Sequence, residues 1–140
     1  MRLCILTPMI AMLATAVSGQ QSPTVNCWGK ALHPTVEKVD GAIDDLRRVL
    51  NHGDPHFPPA VTAPRRSCAS VYCYDTVSIR FCNERDQART MDLRDIYHDV
   101  RTIAYGCIED YNGKQVTGGV RNHPDQWSVV VQADDACKKG

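Results

Sequence analysis

The stretch that decides the fold is VYCYDTVSIRFCNE, residues 71–84. It is rich in β-branched and aromatic residues, and apolar side chains alternate with polar or small ones in its second half. This alternation is typical of a strand with one buried face. We therefore predict two antiparallel strands, residues 71–74 and 76–83, joined near Asp75.

The residues that follow the hairpin predict a helix. Apolar side chains recur at helical spacing between Leu93 and Cys107, which places them on one stripe of a helix over residues 91–105. Thr90 or Asp92 can cap its first turn, and Gly106 is a natural terminator.

The end of the chain predicts one more strand. Residues 108–125 contain Asn112-Gly113, Gly118-Gly119 and Pro124, a composition typical of a turn-rich loop. Residues 126–133 then alternate again, with Trp127, Val129 and Val131 on one face.

The residues before the hairpin predict a proline-rich crossover and an earlier helix. Residues 53–67 carry four prolines, which excludes a helix or a central strand there. Residues 34–52 place five branched apolar side chains on one helical stripe, and Gly53 can end this helix. The polar face of the helix, which includes Asp45, is expected to be solvated. A short strand near residues 25–28 is a further candidate.

This order of elements predicts an α+β fold. Two helices with one apolar stripe each, and strands with one apolar face each, are best buried by a two-layer sandwich. We expect both helices on one face of an antiparallel sheet of about four strands, stabilised by disulfides. A split β-α-β-β-α-β arrangement fits the count.

The first residues predict export from the cell. Met1-Arg2, the apolar stretch up to Val17 and the small residues after it are typical of a secretory signal peptide over residues 1–19. Signal peptidase prefers small residues at positions −3 and −1 before the cut, and cleavage after Gly19 or after Ala16 fits this preference. The apolar stretch is shorter than a typical membrane-spanning helix, so residues 20–140 are expected to form one secreted, extracellular domain.

The charge balance does not favour nucleic acid. The chain has 16 basic and 16 acidic residues, and loss of Arg2 with the leader leaves a net charge of −1. We expect a monomer without a stable membrane anchor and without a nucleic-acid partner.

Six cysteines remain after removal of the leader, which takes Cys4 with it. An even number behind an export signal predicts disulfides in an oxidising compartment. Within the hairpin, Cys68 and Cys82 lie level or one residue apart, whereas Cys73 lies near the turn. The six residues are Cys27, Cys68, Cys73, Cys82, Cys107 and Cys137. Fifteen connectivities are possible, and we favour the pairs Cys68–Cys82, Cys107–Cys137 and Cys27–Cys73.

The residues predict no catalytic centre, cofactor site or metal site. Four histidines, His33, His52, His56 and His123, are expected to be solvated in loops or at helix ends. Glu84, Arg85 and His98 could converge as the acid–base cluster of a secreted ribonuclease. A salt bridge on the surface is the favoured explanation of the same residues. Trp28 and Trp127 are expected in or near the core.

Arg65-Arg66 is a candidate processing site in the crossover. A basic pair on exposed, extended backbone suits secretory-pathway proteases, but two solvated arginines in a loop are the more ordinary explanation. A cut after Arg66 would separate Cys27 from the other five cysteines of the domain, so a disulfide would have to hold the pieces together.

The second half of the chain resembles small cysteine-rich proteins secreted by filamentous fungi. The resemblance covers roughly residues 68–137 and rests on the order of its motifs. These are the step Cys82-Asn83-Glu84, a helix closing on Cys107, the turn Gly118-Gly119 and the strand Trp127-Ser128-Val129-Val130-Val131. More distantly, the layout is similar to the killer-toxin-like and necrosis-inducing effector classes, which have two-layer α/β folds.

The resemblance implies a secreted, non-enzymatic effector that contributes to virulence by recognising an extracellular or host target. Its partner is expected to be a protein or a cell-wall or membrane component. The hairpin, the crossover and residues 108–125 are the expected contact surfaces. The alternatives are a ribonuclease-like hydrolase, an antimicrobial toxin and a protease inhibitor.

Overall fold

The computed structural model of the protein describes Gly19 and residues 21–138. The predicted signal peptide, residues 1–19, lies outside the described residues apart from Gly19. The helices are α1, Val36–His52, and α2, Leu93–Gly106. The strands are β1 Thr24–Asn26, β2 Ala60–Ala63, β3 Ser67–Tyr74, β4 Val77–Asn83, β5 Arg89–Asp92, β6 Glu109–Tyr111, β7 Lys114–Val116, β8 Gly119–His123 and β9 Trp127–Ala133.

A five-stranded antiparallel sheet forms one layer of the molecule, with strand order β1-β8-β9-β4-β3. Helices α1 and α2 pack against each other and form the second layer, on one face of this sheet. The predicted α+β sandwich is therefore confirmed. The candidate strand near residues 25–28 is found as β1, Thr24–Asn26, and the main sheet has five strands rather than about four because β8 is added between β1 and β9.

The core lies between the sheet and the two helices. Alternate residues of β4 and β9 face the helices, as the sequence pattern predicts. The apolar stripes of α1 and α2 pack against these residues. The most deeply buried contributors are Val39 and Leu46 from α1, Val77, Ile79 and Phe81 from β4, Ile96, Val100 and Ile103 from α2, and Val129 and Val131 from β9. Trp127, the first residue of β9, joins them, as predicted.

Helix α2 begins two residues later than predicted because Asp92 is its cap. The Asp92 carboxylate accepts a hydrogen bond of 2.8 Å from the backbone N–H of Arg94. A carboxylate in this position satisfies a helix N–H that would otherwise lack a partner. The residues just before it form β5 instead, which pairs with β2.

The prediction of a loop over residues 108–125 was wrong. Strands β6 and β7 form a small hairpin there, and β8 pairs with β1 on one side and β9 on the other. The helix-facing residues of β8 include Arg121 and His123, so its sequence lacks the apolar alternation that identifies a strand. Both side chains contact Asp99 on α2.

The crossover, residues 53–67, is more ordered than predicted. Its second half forms β2, and Arg65 and Arg66 form the tight turn between β2 and β3. Arg66 has a φ of 48°, and its backbone N–H donates to the carbonyl of Arg85 at 2.9 Å. The basic pair therefore lies on a turn and not on extended backbone.

All six cysteines of the domain are paired. Cys68 and Cys82 face each other across β3 and β4, with a Cα–Cα distance of 4.0 Å, as predicted. The other two predicted pairs were wrong, since the structure joins Cys27 to Cys107 and Cys73 to Cys137.

The direction of β9 explains the correction. Because β9 runs antiparallel to β4, Ala133 lies beside Val77 and the chain end reaches the hairpin turn next to Cys73. At the opposite edge, β1 lies beside β8, and this leaves Cys27 next to the end of α2. The sequence pattern did not reveal that Cys73 lies beside Cys137 or that Cys27 lies beside Cys107.

Candidate functional site

A groove lies between α1 and the outer edge of β3. Its cavity has a volume of about 590 Å³, within the range of ligand-binding clefts. The helix contributes Asp45, Arg48, Val49 and His52, the segment after it contributes Phe57, and the strand contributes Tyr72, Cys73 and Tyr74.

A hydrogen bond fixes the wall of this groove. The Tyr72 hydroxyl donates to Oδ2 of Asp45 at 2.8 Å, and a guanidinium nitrogen of Arg48 lies 3.4 Å from Oδ1 of the same carboxylate. Burial, and then the hydrogen bond and charge of Asp45, raise the pKa of Tyr72 well above its ordinary value. Tyr74 stands edge-on to Tyr72, with ring centroids 6.4 Å apart, and is 42% exposed.

A second cavity of about 380 Å³ continues the groove toward the start of α1. It shares Asp45, Arg48, Tyr72 and Tyr74 with the first cavity, and its far end is lined by Glu37 and Lys38. The two cavities therefore form one elongated groove along the helix. We call it the α1–β3 groove.

The strand side of the α1–β3 groove is a free sheet edge. Strand β3 is the last strand in the sheet order, and among residues 21–138 no segment other than β4 makes a backbone hydrogen bond to Cys68–Tyr74. Tyr72 and Tyr74 face the helices whereas Cys73 faces away from them, as their partners on β4 show. All three can line one groove only along the edge of the strand, where its backbone is exposed.

A separate polar cluster lies at the other side of the sandwich, between α2 and β8. Asp99 is only 3% exposed, and its Oδ2 lies 2.6 Å from Nε2 of His123. Its Oδ1 lies 3.3 Å from Nε of Arg121, which also donates to Thr102 at 2.6 Å. Burial raises the pKa of Asp99, and the hydrogen bond and charge of His123 and the charge of Arg121 act against that rise.

This cluster continues through an aromatic stack to the surface. The rings of His123 and Trp127 are nearly parallel, with centroids 3.6 Å apart. The Arg89 guanidinium lies 5.7 Å from the Trp127 ring centre and 2.5 Å from Oδ2 of Asp125. Arg85 also pairs with Asp125, and these two arginines hold the pKa of Asp125 below its ordinary value.

The predicted acid–base cluster does not form. Arg85 pairs with Asp125, and within the described part of the chain no hydrogen bond or ion pair joins it to Glu84 or His98. His98 lies exposed on α2. The sequence did contain one signal for the cluster that does form, since Asp99 falls on the apolar stripe of α2, between Ile96 and Ile103.

Three single-residue expectations were also wrong. His33 and His123 were expected to be solvated, but His33 is buried and His123 is partly buried against Asp99. Burial lowers the pKa of His33, and its Nδ1 is buried without a hydrogen-bond partner among the described residues. Trp28 was expected near the core but is 68% exposed.

Comparisons with protein-family models, with curated proteins and with solved structures gave no match. No group of side chains within the described ranges has the geometry of a metal site. None of the described helices is long and apolar enough to cross a membrane.

Proposed function

We propose that this protein is a secreted effector of the fungal cysteine-rich type that binds an extracellular or host protein through the α1–β3 groove. The single observation that carries the proposal is a groove with an apolar part, lined by Val49, Phe57 and Tyr74, bordered by a sheet edge with unpaired backbone. Soluble domains rarely leave either feature uncovered, since a free edge invites pairing with another chain. On this proposal the protein contributes to virulence by binding, without catalysis.

The disulfides support the extracellular part of the proposal. Three bridges persist in an oxidising environment and are rare in the cytosol. Each contributes about 2–4 kcal/mol to the stability of a small domain, so together they are comparable with its whole net stability. A protein stabilised in this way survives outside the cell while its surface remains available for binding.

The proposal is tested with the purified, oxidised domain, residues 20–140. The domain is immobilised and incubated with plant apoplastic fluid and with culture fluid of competing fungi, and each retained protein is purified and its dissociation constant measured. We expect saturable binding that is lost after reduction and alkylation of the disulfides. No saturable binding to any retained protein would contradict the proposal.

Growth-inhibition and protease-inhibition assays on the same material separate the two other binding functions, antimicrobial toxin and protease inhibitor. If the domain inhibited growth or a protease at the concentrations at which it binds the retained protein, that activity would replace the effector function.

One observation favours a second function, a ribonuclease-like hydrolase. The cluster of Asp99, His123 and Arg121 combines a carboxylate, an imidazole and a guanidinium, the groups that acid–base cleavage of a phosphodiester uses. It ranks second because the Asp99 carboxylate is buried and the face of the His123 ring is covered by Trp127. RNA hydrolysis that disappears in His123→Gln and persists in His98→Gln would establish this function instead.

A further inference from the structure

We infer that the ligand of the α1–β3 groove is an extended peptide segment with basic residues at both ends, which adds as a strand to the edge of β3. This inference rests on the proposed function, because it names the ligand of the same groove. Three features lead to it: the backbone of the edge, the length of the groove and the position of its unpaired charges.

The backbone of β3 offers hydrogen-bonding groups to the groove. Tyr74 and Val77 close a two-residue turn, Asp75 and Thr76, both with positive φ. Such a turn closes on a hydrogen-bonded pair, so the next residue, Cys73, belongs to a pair whose N–H and C=O point away from β4. These groups face the groove, where an added strand can pair with them. Peptides bound by strand addition gain affinity from these main-chain bonds.

The groove has the length of a peptide strand. Its lining extends along α1 from Glu37 to His52 and on to Asp54. At 1.5 Å per helical residue this distance is about 25 Å, which has room for seven or eight residues of extended chain. On the strand side, only Tyr72, Cys73 and Tyr74 of β3 line the groove, so the residues of the peptide beside them pair with β3 and the others lie along α1. Side chains on one face of such a strand would meet Tyr74 and Val49, which supply the apolar part of the lining.

The charges of the groove favour a basic ligand. Five carboxylates line it, and three of them already pair with basic side chains: Asp44 with Arg47, Asp45 with Arg48 and Asp75 with Lys38. Two remain without an ion-pair partner among the described residues, Glu37 at one end and Asp54 at the other. A peptide with a lysine or arginine near each end complements both, and one with acidic ends is repelled.

The test uses the oxidised domain and a displayed library of nine-residue peptides randomised at every position. We expect selection to enrich peptides with basic residues near both ends and alternating apolar residues between them. The best peptide is then synthesised with N-methyl groups on alternate backbone amides, which removes the donors that a strand needs. We expect affinity to fall at least tenfold in one of the two methylation patterns, measured by fluorescence anisotropy.

Protein variants locate the site. Tyr74→Ala should weaken binding of the selected peptide about tenfold, whereas Tyr105→Ala, which removes an exposed tyrosine on α2, should leave it unchanged. The double variant Glu37→Lys with Asp54→Lys should weaken binding of the basic-ended peptide and strengthen binding of its glutamate-ended counterpart. Asp110→Lys with Asp135→Lys is the matched control at exposed positions outside the groove. Circular dichroism confirms that each variant is folded.

The outcomes separate this inference from the proposed function. Enrichment of no peptide, or equal binding of the selected peptides by wild type and both groove variants, would overturn the strand-addition inference. If the domain still bound an extracellular protein in that case, the proposed function would stand without this ligand. If Tyr74→Ala lost binding of that protein and also lost binding of the selected peptide, the result would support both the proposed function and this inference.

Discussion

Asp99 on α2 and His123 on β8 are joined by a contact of 2.6 Å that ties the helix layer to the sheet. The carboxylate is nearly inaccessible, and Arg121 provides its second partner. We expect Asp99→Ala to reduce the free energy of unfolding by about 3 kcal/mol, because removing one member of a buried ionic group leaves the others without a partner. Urea denaturation at pH 7 measures this change.

The matched control for this prediction is His98→Ala on the adjacent, exposed position of α2. We expect its stability to lie within about 0.5 kcal/mol of wild type, as for most surface substitutions. Equal stabilities of the two variants would show that the Asp99 cluster contributes nothing to folding.

Tyr72→Phe removes the hydrogen bond to Asp45 in the wall of the α1–β3 groove. We expect a loss of about 1 kcal/mol at pH 7, the usual net value of one such bond. Tyr105→Phe, whose hydroxyl makes no hydrogen bond among the described residues, is the control.

The same bond predicts a dependence on alkaline pH. The pKa of Tyr72 is raised in the folded protein, so its contribution to stability is complete below about pH 10, the ordinary tyrosine pKa, and is lost as pH rises beyond it. Wild type should therefore lose stability relative to Tyr72→Phe when denaturation is repeated above pH 10. A constant difference at all pH values would contradict the assignment.

Gly119 is required where β8 passes β1. Its φ is 142°, and a Cβ at this position would lie 2.2 Å from the carbonyl oxygen of Asn26. We expect Gly119→Ala to destabilise the domain by about 3 kcal/mol, since the backbone of one strand must move. Gly41→Ala is the control, because Gly41 lies on α1 with nothing within 4 Å, and alanine there should stabilise the helix by about 1 kcal/mol. Thermal unfolding of both variants measures the contrast.

The sequence predicts the helices and strands that have one apolar face. Both helices, the hairpin and β9 follow such patterns, and each is found within two residues of its predicted bounds at most ends. Strand β8 escapes prediction because its buried face carries Arg121 and His123. Their partner, Asp99, is far away in sequence, so only the folded chain shows that both side chains have a partner.

The candidate site was less predictable than the fold. Hydrophobic periodicity identifies which face of α1 is buried, but it does not show that Asp45 bonds to Tyr72 or that β3 is an edge strand. Both facts depend on strand order. The disulfide pairs of Cys73 and Cys27 depend on the same order, and for this reason two of the three predicted pairs were wrong.

His33 predicts a loss of stability in mild acid. Burial lowers its pKa, so the folded protein favours the neutral ring. Its contribution is complete above about pH 6.5, the ordinary histidine pKa, and is lost as pH falls through the lower pKa of the folded state. Wild type should therefore lose more stability than His33→Gln between pH 7.5 and pH 5, whereas the exposed His56→Gln should follow wild type. Parallel curves for wild type and His33→Gln would be the contrary result.

Cleavage after Arg66 is expected to be slow in the folded protein. A processing protease needs several residues of extended backbone, but Arg66 lies on a turn with a φ of 48° and is held by the carbonyl of Arg85. A dibasic-specific protease should therefore cut the reduced, unfolded chain much faster than the oxidised domain. Where the oxidised domain is cut, the piece that ends at Arg66 stays attached through Cys27–Cys107, so gels should show one band without reductant and two with it. Rapid cutting of the oxidised domain would show that this turn opens readily, and two bands without reductant would show that Cys27 has a different partner.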